Sequence, residues 1–332
     1  MMYDVTVIGA GPVGIFTAFY GGMREMNVLI VDALEAMGGQ LAALYPDKYI
    51  YDVAGFPKVK AQELIDNLTS QLDAFQDTTT IRLKEQVSEL VKEADGTFTI
   101  TTNVATYQTR SIIITAGNGA FKPRPLGVEN EEFATNLHYF VRDLTVFANR
   151  NVIIFGGGDS AVDWALMLEP IAKSVSLIHR RDEFRAHEHS VAKLKASKVN
   201  VYTPFVPSSL TLSDDNDGKA DAVTITHVTT KEAITIPADD IIVNYGFVSN
   251  LGPISSWGLE LEKNQLVVDS LQATTTPGIF ACGDICTYPG RHKLIITGFG
   301  EAPIAIAAAK KYAYPDSSNA HAHSTSMFEK KK

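Results

Sequence analysis

Three glycines near the start of the chain, Gly9, Gly11 and Gly14, stand at the spacing G-x-G-x-x-G. The first permits a tight turn, the second lets backbone approach a pyrophosphate, and the third lets a helix and a strand pack closely. The helix that follows would present free N–H groups and a partial positive charge to phosphate oxygens. Asp32 lies 23 residues beyond Gly9, where a carboxylate can accept hydrogen bonds from an adenosine ribose. The pattern recurs in Gly156-Gly-Gly158-Asp159-Ser160-Ala161, and the same step of 23 residues reaches His179, followed by Arg180, Arg181 and, a little later, Arg185. A carboxylate at the first position would repel a 2′-phosphate, whereas guanidinium groups grip one through paired hydrogen bonds. The first site is therefore expected to take FAD and the second NADPH, with electrons passing between them.

The elements needed to position these residues are legible around both turns. Residues 3–8 read as a buried strand, 15–23 as a helix and 28–31 as a second strand; residues 151–155, 162–168 and 175–178 repeat the order. Each set is a βαβ unit, so the expected class is α/β with two Rossmann-like dinucleotide-binding domains of three-layer ββα build. Because the second unit lies inside the sequence of the first, the FAD domain should be discontinuous, at 1–118 and 249–332, with the NADPH domain inserted at 119–248. The crossing segments, 115–119 and 244–250, contain glycine and are plausible hinges for a domain rotation. Within the insert, the alternating stretches 199–203, 222–228 and 233–237 read as antiparallel strands.

Composition agrees with this reading and excludes others. A chain of 332 residues, 45% hydrophobic and 20% charged, has the length and make-up of two buried cores. Its net charge of −9 argues against a general nucleic-acid or membrane-surface protein. No apolar stretch approaches the ~18 residues of a membrane span, and no secretory signal is evident. Two cysteines, Cys282 and Cys286, cannot build a disulfide framework. The expected location is the cytoplasm. No metal site is expected either. Asp214-Asp-Asn-Asp217 reads as a hairpin turn, since position twelve of a calcium loop begun at Ser213 would be Thr224. His187-Glu-His189 lacks the spacing of a zinc pair.

Further motifs carry a resemblance. Gly38-Gly-Gln40-Leu41, the strand and turn at 111–117, and Thr276-Pro-Gly-Ile-Phe-Ala-Cys-Gly283-Asp284 are similar to segments of the two-dinucleotide-domain flavoproteins of the thioredoxin reductase type. Such a reductase needs a CxxC dithiol ahead of the second glycine turn, and residues 137–143 contain no cysteine. Cys282 and Cys286 are spaced CxxxC and read as structural. His138-Tyr-Phe-Val141, Gly156 to Trp164, Asp284-Ile-Cys-Thr-Tyr288, Gly298-Phe-Gly-Glu-Ala-Pro303 and His323-Ser-Thr-Ser326 together resemble the thioredoxin-reductase-like ferredoxin–NADP⁺ reductases, over residues 3 to about 328.

That resemblance implies a set of roles. Gln40 belongs to the flavin-contacting loop, and Asp284 binds the ribityl chain. Tyr45 stacks on one flavin face, and His323 from a partner subunit covers the other, so the enzyme would be a homodimer. Ser324 or Thr325 lies near the flavin edge, Val87 meets adenine through its backbone, and Phe121 lies beside the ring system. Electrons would leave singly to ferredoxin or flavodoxin. Acidic carriers of that kind would dock on positive charge, for which Lys122, Arg124, Lys310 and Lys311 are candidates, while Lys330-Lys-Lys332 reads as solvated tail. Two other readings stand beside it. One is reduction of a low-molecular-weight disulfide without CxxC, although such relatives carry a cysteine in the first glycine loop where this chain has Pro12-Val13. The other is a flavin redox sensor without turnover.

Overall fold

The computed structural model describes residues 2–141, 143–213 and 218–317, with the side chains at 120–122 and 249 outside the description. The chain divides into two compact units, one of Met1–Phe121 with Ser249–Lys332, the other of Lys122–Val248.

In the first unit five parallel strands form a sheet in the order Ile279–Ala281, Ile112–Ile114, Val5–Ile8, Val28–Asp32, Thr79–Leu83. Apart from the edge strand Thr79–Leu83, these strands are near-continuous apolar runs because both faces of the sheet are covered. Alternate side chains part to opposite sides. Val5, Val7, Ile30 and Ile113 pack against helices α1 (Pro12–Met23), α3 (Ala61–Leu72) and α6 (Ile295–Ala313). Leu29, Val31, Ile112 and Ile114 pack against Phe98 and Ile100 of a second sheet, ordered Met2–Tyr3, Thr106–Thr109, Phe98–Thr102, Val87–Lys92. Burying each such side chain contributes about 1.5–3 kcal/mol. Between α1 and α3 lies the short helix α2 (Gly39–Leu44).

The second unit repeats the plan with its own core. Its parallel sheet runs Leu137–His138, Asp240–Val243, Asn151–Phe155, Ser174–Ile178, Asn200–Tyr202. Helices α4 (Asp159–Leu168) and α5 (Glu188–Ala196) cover one face through Val162, Ala165 and Leu194. Phe205–Leu212, Ala220–His227 and Ala233–Pro237 form an antiparallel sheet whose Val223 and Ile225 cover the other. Both units are therefore ββα sandwiches of the expected α/β class.

One expectation is overturned. Residues 200–202 do not join the antiparallel layer; they pair in parallel with Ser176–Ile178 as the edge strand of the main sheet. Alternation marks a half-exposed strand, and an edge strand of a parallel sheet is half-exposed as well. Residues 214–217, read above as a hairpin turn, lie outside the described residues.

Candidate functional site

The main cavity of the first unit, about 350 Å³, opens along the C-terminal ends of its parallel strands, where open α/β sheets hold their ligands. Its wall brings together Gly9, Gly11, Asp32, Gln40, Val87 and Asp284, residues spread over nearly the whole chain. Each glycine of the turn has a separate reason to be glycine. Gly9 has φ +114°, and a Cβ there would stand 2.7 Å from the carbonyl oxygen of Thr115. The Thr115 hydroxyl in turn lies 2.6 Å from the Gly9 carbonyl and fastens the turn to the neighbouring strand. At Gly14 a Cβ would overlap the Gly9 carbonyl and come within 2.8 Å of Thr115 Oγ1. At Gly11 a Cβ would meet nothing within 4 Å, so this position leaves open space rather than packing. Helix α1 starts with Pro12, has no side-chain cap and carries no acid in its first turn. Its positive end is left for an anion. These features fit a dinucleotide pyrophosphate.

Asp32 ends its strand with both carboxylate oxygens engaged, Oδ2 by the Ala10 N–H at 2.6 Å and Oδ1 by the Leu34 N–H at 2.7 Å. Burial raises its pKa, and the two N–H groups oppose that rise. An ionised carboxylate has about four acceptor sites, so hydroxyl groups of a ribose can still be received. Val87 lines the same end of the cavity beside Glu85, which sequence reasoning missed. Glu85 is buried, with Tyr107 and Thr102 hydroxyls donating to it at 2.9 and 3.0 Å. Its partners lie about 20 residues away on other strands, so nothing local marks it.

The Gly-Gly-Gln loop abuts the glycine turn. Gly38, at φ +112°, donates its N–H to the Ala10 carbonyl at 2.7 Å. A Cβ on Gly39 would come within 3.0 Å of Gly11 Cα. Gln40 and Leu41 reach the cavity wall, but Tyr45 is not among the lining residues. It follows the last residue of α2, with the Lys48 ammonium 5.5 Å from its ring centroid. Phe121 stands on the strand Ala120–Pro123 with its side chain outside the description. His323, Ser324 and Thr325 lie outside the described residues.

Asp284 follows the buried strand Ile279–Ala281 through Cys282 and Gly283. Both thiols are buried. Cys282 Sγ lies 3.6 Å from Thr17 Oγ1, and Cys286 Sγ donates to the Gly283 carbonyl at 3.2 Å. Burial pushes both thiols up, Cys286 to about 12. Thiolate is the reactive form, so iodoacetamide at pH 7.5 is expected to leave both cysteines of the folded protein unmodified by intact mass. Labelling of either thiol at the rate of a free one would refute their structural role.

In the second unit Gly156 has φ +155°, and a Cβ there would crowd Asn244 O and Ala161 Cβ at 2.7 and 2.8 Å. Gly158, like Gly11, has nothing within 4 Å of an added Cβ. Gly157 is covered by the ring of His179, which stacks on Phe184 at 5.3 Å between centroids. Burial, with the cations Arg180, Arg181 and Arg185, holds the His179 pKa below its ordinary value. His179 thus packs beneath the turn. Arg180, Arg181 and Arg185 are exposed, and none forms an ion pair among the described residues. Arg185 N–H donates to the Gly157 carbonyl at 2.7 Å, and Asp159 Oδ1 receives the His187 N–H at 2.9 Å. The arginine loop is thereby tied directly to the glycine turn, a fit for a nucleotide with a 2′-phosphate. Ser160 and Ala161 lie in the first turn of α4.

Other candidates fall away from these sites. His138 Nε2 lies 2.9 Å from Asp240 Oδ1, and Arg150 holds the other oxygen, at the start of the strands and hence the end opposite the glycine turn. The Lys310 ammonium donates to the Arg24 carbonyl and that of Lys311 to the Ser317 carbonyl at 3.4 Å, contacts that leave the charge of both in place. Arg124 is exposed; the side chain of Lys122 and residues 330–332 lie outside the description. Among the described residues no group of three or more His, Cys, Asp or Glu could hold a metal, and no helix is long and apolar enough to cross a membrane.

The chain matches the family described as pyridine nucleotide-disulphide oxidoreductase over residues 3–309. It is 58% identical to the protein named ferredoxin–NADP reductase 2 of Bacillus subtilis over 99% of this chain and 98% of that one. It is 57% identical to the protein of the same name from Bacillus pumilus, with the same coverage. Among solved structures it is similar to thioredoxin reductase of Lactococcus lactis, with TM-score 0.75, 29% identity and coverage of 94% and 99% of the two chains. Bacillithiol disulfide reductase of Staphylococcus aureus shares the fold, with TM-score 0.73 and 17% identity over 96% and 100%.

Proposed function

Because this chain belongs to the pyridine nucleotide-disulphide oxidoreductase family and, within it, to the ferredoxin–NADP reductases, we infer that ferredoxin, or flavodoxin in its place, takes the electrons it draws from NADPH. The protein is a flavin oxidoreductase that uses FAD and NADPH. When bound, FAD would supply the conversion from a two-electron donor to one-electron delivery, which the protein's residues support by binding and orientation.

The observation that carries the reading is the opposite chemistry at the ends of two similar turns, a tethered carboxylate at Asp32 and three exposed guanidinium groups, at Arg180, Arg181 and Arg185, with no ion pair among the described residues. We assign FAD to the first unit and NADPH to the second on that contrast. Gly9, Gly11 and Gly14 would shape the FAD turn, with Asp32 on the ribose, Val87 on adenine, Gln40 beside the flavin and Asp284 on the ribityl chain. Gly156, Gly158, Asp159, Ser160 and Ala161 would shape the NADPH turn. Arg180, Arg181 and Arg185 would hold the 2′-phosphate, while His179 sets the floor on which they stand. Tyr45, Phe121 and, from a second copy of the chain, His323 with Ser324 and Thr325 would enclose the flavin, making a homodimer in the cytoplasm. No general acid or base is needed for this chemistry. Exclusion of water from the ring and a fixed approach for the nicotinamide are what these side chains would supply.

Purified protein should be yellow, bleach on anaerobic addition of NADPH, and reduce cytochrome c only when ferredoxin or flavodoxin is present. Side-by-side assay with low-molecular-weight disulfides decides the acceptor; turnover of a disulfide with none of either carrier would refute the proposal.

A further inference from the structure

Behind the cavity wall at Asp284 lies a charged pair to which the functional reading assigns no task. Arg291 and Glu301 have side chains only 3% exposed, and they meet at two points, Nε to Oε1 at 2.8 Å and Nη2 to Oε2 at 3.3 Å. Glu301 also receives the Gly283 N–H at 2.7 Å and the Tyr288 hydroxyl at 2.8 Å. It stands on α6, whose first residue, Ile295, lines the cavity. Thus one carboxylate fastens the helix to the turn that carries Asp284. The remaining nitrogen of the guanidinium, Arg291 Nη1, is buried without a hydrogen-bond partner among the described residues and lies 3.8 Å from Asp284 Oδ1, an ion pair beyond hydrogen-bonding distance. Neither carboxylate oxygen of Asp284 takes part in a hydrogen bond among the described residues, and its side chain is 41% exposed.

A buried ion pair is a weak source of stability, because desolvation offsets most of its attraction. This one has a more specific consequence. Held by Glu301 at two points, the guanidinium keeps only a long ion contact of 3.8 Å with Asp284. Were Glu301 uncharged, Asp284 would be the nearest carboxylate left to Arg291, and a movement of about 1 Å would bring the two into a charge-assisted hydrogen bond. Asp284 would then be withdrawn from any ligand in the cavity.

We propose that Arg291 and Glu301 are positioning residues of the cofactor cavity: Glu301 anchors the Gly283–Asp284 turn and restrains Arg291, leaving Asp284 free to accept hydroxyl groups of the bound cofactor. The proposal rests on the assignment of FAD to this cavity. Its test is a double-mutant cycle on the full-length protein, read as the dissociation constant of FAD from flavin fluorescence, with the melting temperature of each apoprotein measured alongside.

Glu301→Gln is expected to raise the FAD dissociation constant about tenfold or more, and Asp284→Asn by at least as much. In the Asp284→Asn background, Glu301→Gln should add less than about threefold, because both changes remove the same interaction. Tyr288→Phe takes one donor from Glu301 and leaves the ion pair intact; it should raise the constant a few-fold, and only while Asp284 is present. Should Glu301→Gln fail to fold, that milder variant decides. Multiplicative effects in the double variants, or a wild-type constant in Tyr288→Phe and Glu301→Gln, would overturn the proposal. Failure of the wild-type chain to take up FAD at all would instead overturn the cofactor assignment.

Discussion

Replacement of Arg180 and Arg181 together by alanine is expected to raise the KM for NADPH by about two orders of magnitude while leaving that for NADH within about twofold. Among the described residues neither exposed guanidinium has an ion-pair partner, so neither is needed to satisfy a buried charge. A hydrogen bond to a charged group contributes about 1.5–3 kcal/mol, or about tenfold to a hundredfold for each arginine, and Arg185 remains to hold part of the phosphate. NADH has no 2′-phosphate and should lose little. Steady-state reduction of ferricyanide with both nucleotides measures the effect without involving the docking of a protein carrier. Equal losses for NADPH and NADH would show that the arginines act on the fold or the pyrophosphate, and the assignment of the 2′-phosphate to this loop would fail.

A second large effect separates glycines that make room for a ligand from glycines that make room for the chain. Gly11→Ala should leave the apoprotein's melting temperature nearly unchanged, because the new methyl group meets nothing within 4 Å. The same methyl group would occupy the space where the pyrophosphate must approach, and FAD affinity should fall at least about a hundredfold. Gly14→Ala should do the reverse first. Its Cβ would overlap the Gly9 carbonyl, a backbone atom that cannot swing aside. Strand Val5–Ile8 and helix α1 would have to separate, at a cost of about 1–3 kcal/mol or more, and flavin would be lost with stability. Thermal melts of the two apoproteins and titration with FAD distinguish the cases. If Gly11→Ala binds FAD as the wild type does, the cavity is not a pyrophosphate site. Gly158→Ala should repeat the Gly11 pattern in the second unit, with NADPH affected and flavin retained.

Some parts of this molecule were readable residue by residue and others were not. Both βαβ units could be placed because a close turn restricts residue type at fixed local spacing, and buried parallel strands are mostly apolar. The alternation at residues 199–203 was insufficient to separate an edge strand of the parallel sheet from the antiparallel layer. Nothing in the sequence shows that the Lys310 ammonium donates to the Arg24 carbonyl, 286 residues away. Glu85 and Glu301 are ordinary acids in the sequence and become buried, multiply hydrogen-bonded carboxylates only in the fold.

Residue types and spacings were enough for the α/β class, the two glycine turns and the contrast of charge that follows them, since each depends on backbone sterics or on residues within about two dozen positions. Tertiary structure alone decided that Asp32 is tethered at both oxygens, that His179 packs beneath its turn, and that Asp284 is backed by Arg291 and Glu301. The reason is physical. Whether a charged side chain is solvated, paired or restrained depends on what surrounds it in three dimensions, and those neighbours come from distant segments that only the packed core brings together.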